Sequence, residues 1–189
     1  MAYREKQTPG TQSTFGFQTI DVTERQDMVN RVFSSVANRY DLMNDLMSGG
    51  LHRLWKDELV SQINPPKSTT TPFRLLDVAG GTGDVAMRTI KRGSENCTAV
   101  ICDISQEMLE VGRKRVNDAN LSQYIDIIEG NAENLPFGHN EFNAYTISFG
   151  IRNVTQINVA LDEAYRVLKP GGHFLCLEFS KVDLSLIHI

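Results

Sequence analysis

No run of apolar residues in this sequence approaches the ~20 that a helix needs to cross a bilayer, and no block of like charge stands out as a polybasic arm. The first absence makes a soluble, or at most peripheral, protein the expectation. The second, with a formal net charge of -4, leaves no general electrostatic pull toward nucleic acid, so no nucleic-acid partner is expected. Cysteine is scarce: Cys97, Cys102 and Cys176 are an odd number without metal-ligand spacing, which argues against a disulfide framework and against a metal site. Two of them lie inside apolar runs, and they read as buried thiols in a reducing compartment. The opening residues, MAYREKQTPGTQSTFGFQTI, lack the apolar core of a signal peptide and are poor in the arginines of a transit peptide. Residues 1–22 are expected to form a flexible arm.

What is present suits one globular domain with a real core: 189 residues, of which 41% are hydrophobic and 22% charged. Between Thr23 and Tyr40 the apolar residues Val29, Val32, Phe33, Val36 and Tyr40 recur at helical steps, with Thr23 as N-cap. A second helix is expected in LHRLWKDELVSQI, with Leu51, Leu54, Trp55, Leu59 and Ile63 on one face. NPPKSTTTP then breaks the pattern as a linker. Residues 23–66 are expected to be N-terminal helices forming a lid, 67–182 an α/β domain, and 183–189 an atypical tail.

In that α/β stretch apolar runs alternate with helix-length segments. FRLLDVA, TAVICDI, YIDIIEG, NAYTISFG and HFLCLEFS are five strand candidates, and DVAMRTIKRG, SQEMLEVGRKRVNDAN and TQINVALDEAYRVLKPGG are the helical segments between them. Strands that are apolar almost throughout, alternating with helices, predict a doubly wound, mostly parallel sheet covered on both faces, a Rossmann-like α/β fold. In such sheets ligands bind beyond the carboxyl ends of the strands, near the point where strand order reverses.

The loops at those ends carry the chemistry. LLDVAGGTGD places Asp77 at the end of the first strand, and Gly80, Gly81 and Gly83 in a turn entering a helix, where backbone N–H groups can approach a ligand closely. A tight strand-to-helix turn would use the same glycines, so the loop alone is weak. Asp103 ends the second strand, as suits a carboxylate that binds both ribose hydroxyls of an adenosine. NAD and S-adenosyl-L-methionine (SAM) both satisfy that placement. The spacing Asp77-x-Ala79-x-Gly81-x-Gly83 departs from G-x-G-x-x-G, and its leading acid would meet the ammonium of an amino-acid tail but repel a pyrophosphate, so SAM fits better. In the third loop, EGNAENLPF, Asn131 and Ala132 could read an adenine edge; an ordinary turn would also explain the asparagine. The fourth strand runs into TISFGIRNVT, which puts Arg152 and Asn153 just past its end.

On VFSSVANRYDLMNDLMSGGLHRLWKDELV, LLDVAGGTGDVA, CDISQEML, GNAENLPF, TISFGIRNV, EAYRVLKPGG and FLCLEFSKV, the chain resembles the class I SAM-dependent methyltransferases. More closely it resembles the ubiquinone/menaquinone biosynthesis C-methyltransferase family (UbiE type), and within that its eukaryotic branch. These segments cover roughly residues 29 to 182 in the family's order. YDLMND, HRLWKD and SFGIRN are the more specific of them. The resemblance implies methyl transfer from SAM to a ring carbon of a polyprenylated methoxy-benzoquinol in coenzyme Q synthesis. It implies cofactor contacts at Thr82, Asp103, Asn131 and Ala132, with Ser148 as a further candidate beside Asp77, Gly81 and Gly83. It further implies peripheral membrane contact on the matrix side of the mitochondrial inner membrane, in a complex with other coenzyme Q biosynthesis proteins.

Two departures stand against the family pattern: Gly49-Gly50-Leu51 where Leu-Gly-Ile is frequent, and VDLSLIHI after Lys181, where family members continue. The chain therefore reads as C-terminally truncated. For the chemistry, a guanidinium is effectively never deprotonated, so Arg152 is expected to bind the quinol oxygen and stabilise quinolate, with Asn153 orienting it. The alternative for Arg152 is an ion pair with an acid such as Asp41, which would fasten the N-terminal helices over the pocket. Asp41 or His52 could accept a proton, His52 by virtue of its unperturbed pKa near 6.5. Tyr40 and Asn44 also come from the lid. Met43, Met47 and Trp55 could face the polyprenyl tail, although core packing suits them better. The competing functions are a non-catalytic SAM-binding or scaffolding subunit of the coenzyme Q complex, and another small-molecule SAM methyltransferase.

Overall fold

The computed structural model describes residues 12–15, 18–21, 50–68 and 70–179. The expected helix from Thr23 to Tyr40 and the candidates Tyr40, Asp41, Met43, Asn44 and Met47 lie outside the described residues. Inside the expected arm, β1 (Gln12–Phe15) and β2 (Gln18–Asp21) pair antiparallel, with Phe15 opposite Gln18. Their β-branched Thr14, Thr19 and Ile20 favour extended backbone.

The sequence of elements then runs α1 (Leu51–Ile63), β3 (Phe73–Val78), α2 (Asp84–Arg92), β4 (Cys97–Asp103), α3 (Gln106–Asp118), β5 (Ile125–Glu129), β6 (Phe142–Ser148), α4 (Ile157–Val167) and β7 (Leu168–Leu177). The last five strands form one sheet in the order β5-β4-β3-β6-β7, with every pairing parallel. The chain winds outward from β3 through β4 to β5, then returns to β6 on the other side. The reversal point therefore lies between β3 and β6, and the loops leaving these two strands open a cleft there. Among the described residues no helix is long and apolar enough to cross a membrane.

Alternation along the strands divides the core into two layers. Leu75, Ala99, Ile101 and Ala144 point to one face, which α1, α2 and α3 cover with Val60, Ala86 and Leu109. Leu76, Val78, Val100, Cys102, Tyr145 and Ile147 point to the other, where α4 packs with Ala160, Ala164 and Val167. Helices from the two halves of the winding thus fall on opposite faces, as right-handed crossovers require.

Three local expectations differ from what is observed. The buried face of α1 is His52, Lys56, Leu59, Val60 and Ile63, while Leu51 and Leu54 are exposed. Helix α4 stops at Val167, and Lys169-Pro170-Gly171-Gly172 joins β7 as a bulge, because the register jumps from Phe142↔Leu168 to Ala144↔His173. Gly171 has φ 80, and a proline is tolerated where the ladder is interrupted. Cys97 and Cys102 are buried thiols, but Cys176 is exposed on β7, which pairs on one side only among the described residues.

Gly83 illustrates how tightly the first loop is built. Its φ is 77, and a Cβ there would lie 2.5 Å from Cδ1 of Ile101. Gly83→Ala should therefore destabilise the fold by about 1–3 kcal/mol, through left-handed strain and overpacking. Urea denaturation at neutral pH checks this.

Candidate active site

The loops after β3, β4, β5 and β6 surround a cleft with about 990 Å³ of empty space, counting its open mouth. Asp77, Gly81, Thr82, Asp103, Asn131, Ala132, Ser148 and Asn153 all line it. So do Lys56, Asp84, Ile104, Met108, Glu133 and Phe149. Gly83 is not among the lining residues; it acts as the N-cap of α2, packed on Ile101.

Asp77 sits at the centre of the sheet, 1% exposed. Its Oδ1 accepts the Thr146 hydroxyl at 2.7 Å, a bond that crosses from β6 to β3, while Oδ2 is buried without a hydrogen-bond partner. Loss of solvent pushes its pKa up to about 7, against the Thr146 bond, a backbone bond from Ala86 and the charge of Lys56. Ser148, at the end of β6, also has a buried oxygen without a partner.

Asp103 is held by the loops it serves. Its Oδ2 accepts the Gly81 N–H at 2.8 Å and its Oδ1 the Ser105 N–H at 2.8 Å. Burial raises its pKa, and these backbone bonds work against that rise. The Ser105 hydroxyl in turn accepts from the Met108 N–H, so one short segment orients the acid and starts α3. On the third loop the Asn131 amide oxygen accepts the Glu133 N–H at 2.9 Å, leaving its amide nitrogen and the buried Ala132 beside the cleft. Glu133 then accepts the N–H groups of Thr155 and Gln156, each at 2.9 Å, which binds this loop to the start of α4.

The loops after β3 and β6 share an unusual backbone. Ala79 (φ 51) and Phe149 (φ 57) are left-handed non-glycine residues, one past the end of each central strand. They are adjacent in space: a Cβ on Gly150 would lie 2.5 Å from that of Ala79. Beyond Phe149, a short 3₁₀ turn (Ile151–Asn153) separates two candidates. Asn153 faces the cleft, whereas Arg152 does not line it. The Arg152 guanidinium pairs with Glu178 at 3.1 Å and lies 5.4 Å from the centre of the Phe179 ring. Phe179 and Phe149 stack at 5.0 Å, and Trp55 of α1 joins them edge-on at 5.7 Å from Phe179.

His52 is buried on the inward face of α1 and is not brought to the cleft lining. Lys56, one helical turn later, is brought there, and it was absent from the sequence candidates. Its Nζ lies 3.0 Å from Oδ2 of Asp84, at the start of α2. The available signal was a lysine four residues from His52 and three from Leu59, but a cation is normally assigned to the solvent side.

The residues present fit SAM by their donor set. Asp77 offers a buried, unpartnered carboxylate oxygen suited to an ammonium, Asp103 a fixed carboxylate suited to vicinal hydroxyls, and Ile104 with Ala132 an apolar surface suited to a base.

Because Asp77 has a folded-state pKa of about 7 against 3.8 unfolded, its burial costs the ligand-free fold nothing below the unfolded value and most above pH 7. Asp77→Asn should therefore gain stability over the wild type as pH rises from 4 to 8, reaching a few kcal/mol at about 1.4 kcal/mol per pKa unit. Urea melts of both proteins across that range check the sign. A constant difference would refute it.

Residues 20–189 match the model of the ubiE/COQ5 methyltransferase family. Over 176 residues the chain is 58% identical to the ubiquinone/menaquinone biosynthesis C-methyltransferase UbiE of Rhodopseudomonas palustris (strain TIE-1), covering 93% of this chain and 69% of that one. The protein of that name from Methylobacterium nodulans is 57% identical over 174 residues, covering 92% and 68%. Among solved structures, the [4+2]-cyclase SpnF superposes with a TM-score of 0.67 at 22% identity, over 83% of this chain and 62% of that one. A SAM-dependent methyltransferase from Aquifex aeolicus superposes with a TM-score of 0.58 at 18% identity, over 68% and 66%. The structural likenesses establish the fold alone, since a cyclase and a methyltransferase share it. The sequence matches go further, and with the parallel sheet and cleft already described they establish that this chain belongs to the ubiE/COQ5 methyltransferase family of SAM-dependent enzymes.

Proposed function

We propose that this chain is a SAM-dependent C-methyltransferase that methylates a ring carbon of a polyprenylated methoxy-benzoquinol in ubiquinone synthesis. The relatives' names support C-methylation in ubiquinone/menaquinone biosynthesis, and the methoxy-benzoquinol ring rests on the resemblance to the eukaryotic branch. The observation that carries the cofactor half is the pair of buried, unpartnered oxygens on Asp77 and Ser148, in the same cleft as Asp103. Buried polar atoms are rarely left without partners unless a ligand supplies them.

When bound, SAM supplies an activated methyl on a sulfonium. The chain's own task is to hold donor and acceptor in line and to keep water away. Asp103 holds the ribose, while Thr82, Asn131, Ala132 and Ser148 complete the donor side, as the family resemblance suggests. Fixing the approach geometry supplies a large share of acceleration in such transfers. The acceptor needs an electron-rich ring, best supplied by a quinol whose oxygen is nearly deprotonated. In the proposal Arg152, held by Glu178 and by Phe179 stacked on the cleft-lining Phe149, stabilises that oxygen, and Asn153 orients the ring from inside.

The polyprenyl tail of such a substrate would bring the protein to a membrane surface as a peripheral contact. The mitochondrial inner membrane address, and the association with other coenzyme Q biosynthesis proteins, rest on the resemblance to the eukaryotic branch. The relatives compared above are bacterial.

Calorimetric titration with SAM tests the cofactor half. The wild-type chain should bind, and Asp103→Ala should weaken binding by at least about tenfold, from lost hydrogen bonds to a charged group. Retained affinity in that variant would count against the site. For the acceptor half, Arg152→Lys should lower kcat by about 10²-fold, as expected for lost transition-state stabilisation, and leave SAM affinity within about twofold. Equal losses in both would place Arg152 in the scaffold instead.

A further inference from the structure

We propose that Lys56 receives the carboxylate of the cofactor's amino-acid tail, so that α1 forms a wall of the donor site. The inference rests on reading the cleft as a SAM site. Lysine is seldom buried, yet Lys56 is 6% exposed and lines the cleft. A desolvated ammonium needs partners. Asp84 provides one, at 3.0 Å from Nζ. An ammonium carries three N–H donors, however, and this contact uses one.

Nor does Asp84 depend on Lys56 alone. Its other oxygen accepts from Nε of Arg88 at 3.0 Å, and Nη2 of Arg115 stands 3.9 Å away. Burial would raise the Asp84 pKa, but the charge of Lys56 and the bonds from Arg88 and Lys56 hold it below the ordinary carboxylate range. Asp84 is therefore a fixed anion that presents Lys56 to the cleft.

An amino-acid tail carries its ammonium and carboxylate on one carbon, so its site must offer an acid and a base close together. Asp77 and Lys56 line the same cleft, and Asp77 keeps an unpartnered oxygen there. Thr82 stands with them. Its hydroxyl accepts from Nη1 of Arg115 at 2.7 Å, which leaves its own proton to donate. The carboxylate thus meets an ammonium and a hydroxyl, and the ammonium of the tail meets a carboxylate.

The rival role for Lys56 is a pin between α1 and α2, and two ligands separate the cases. S-adenosylhomocysteine has the amino-acid tail; 5′-methylthioadenosine has the same nucleoside and thioether sulfur without it. By calorimetric titration, Lys56→Met should weaken S-adenosylhomocysteine by about 10–100-fold, the usual loss of a charged hydrogen-bond partner, and leave 5′-methylthioadenosine within about twofold. Lys56→Arg should recover part of the loss. Equal weakening of both ligands, or no weakening of either, overturns the proposal. If Lys56→Met fails to fold by circular dichroism, Lys56→Gln decides with the same two ligands: it keeps a polar side chain beside Asp84 and removes the charge, so it should weaken S-adenosylhomocysteine by about tenfold or more and leave 5′-methylthioadenosine within about twofold. Equal weakening of both, or of neither, overturns the proposal. A wild-type chain that binds neither ligand would bring down the cofactor reading itself, and with it this inference.

Discussion

A carboxylate buried at the middle of the sheet, satisfied on one oxygen and open on the other, sets the terms for the rest of this structure. Asp77 is held by the Thr146 hydroxyl across the β3–β6 junction, the junction at which strand order reverses. That bond crosses the one seam in the sheet where no helix crossover directly connects the neighbouring strands. It is also a bond to a charged or chargeable group in a dry environment, where hydrogen bonds of this kind contribute about 1.5–3 kcal/mol. Desolvation of the charged acid works against the fold, and this bond offsets part of it. Asp103 differs, since both its oxygens already accept backbone N–H groups from loops that need orienting. Asp103 thus stands in the cleft already oriented by these loops, while Asp77 keeps one oxygen without a partner.

Much of this was legible from residues alone. The five parallel strands follow from apolar runs separated by helix-length segments, and each run became the strand expected of it. Asp77, Asp103 and the glycine turn were legible because strand ends and turn chemistry are local properties. Asn131, Ala132 and Ser148 were placed by family resemblance, and they line the cleft beside the acids. The face of α1 was misread for a physical reason. Leu51 and Leu54 fit an apolar stripe, but burial follows the surface a helix meets, and here that surface contains Asp84. A lysine with an apolar stem and a waiting anion can lie inward while a leucine lies outward. Pairing between distant segments is invisible to periodicity, so the Glu178 partner of Arg152 could not be read; Asp41, the acid the sequence suggests for that role, lies outside the described residues. The bulge at Pro170 and Gly171 was hidden because the same residues ordinarily end a helix.

The arginine after β6 thus takes its position from two directions. The 3₁₀ turn places Asn153 on the cleft lining and Arg152 off it, and the residues after β7 supply the anion and the aromatic ring that hold the arginine. Trp55 and Phe149 extend that aromatic group toward α1. Helix α1 accordingly lines the cleft through Lys56 and reaches Phe149, another lining residue, through Trp55.

The contact between Ala79 and Gly150 has a mechanical meaning. Two left-handed turns, each stiff because a side chain occupies it, meet at a point where one of them has no Cβ. Such turns cannot slide independently, so the cleft edges that follow β3 and β6 are coupled at this point. Any remodelling of the mouth to admit a bulkier ring would have to be transmitted through that contact. Under the proposed function, acceptor choice and donor affinity would be geared together, and a search for altered specificity would progress faster by varying both loops at once than by varying either alone.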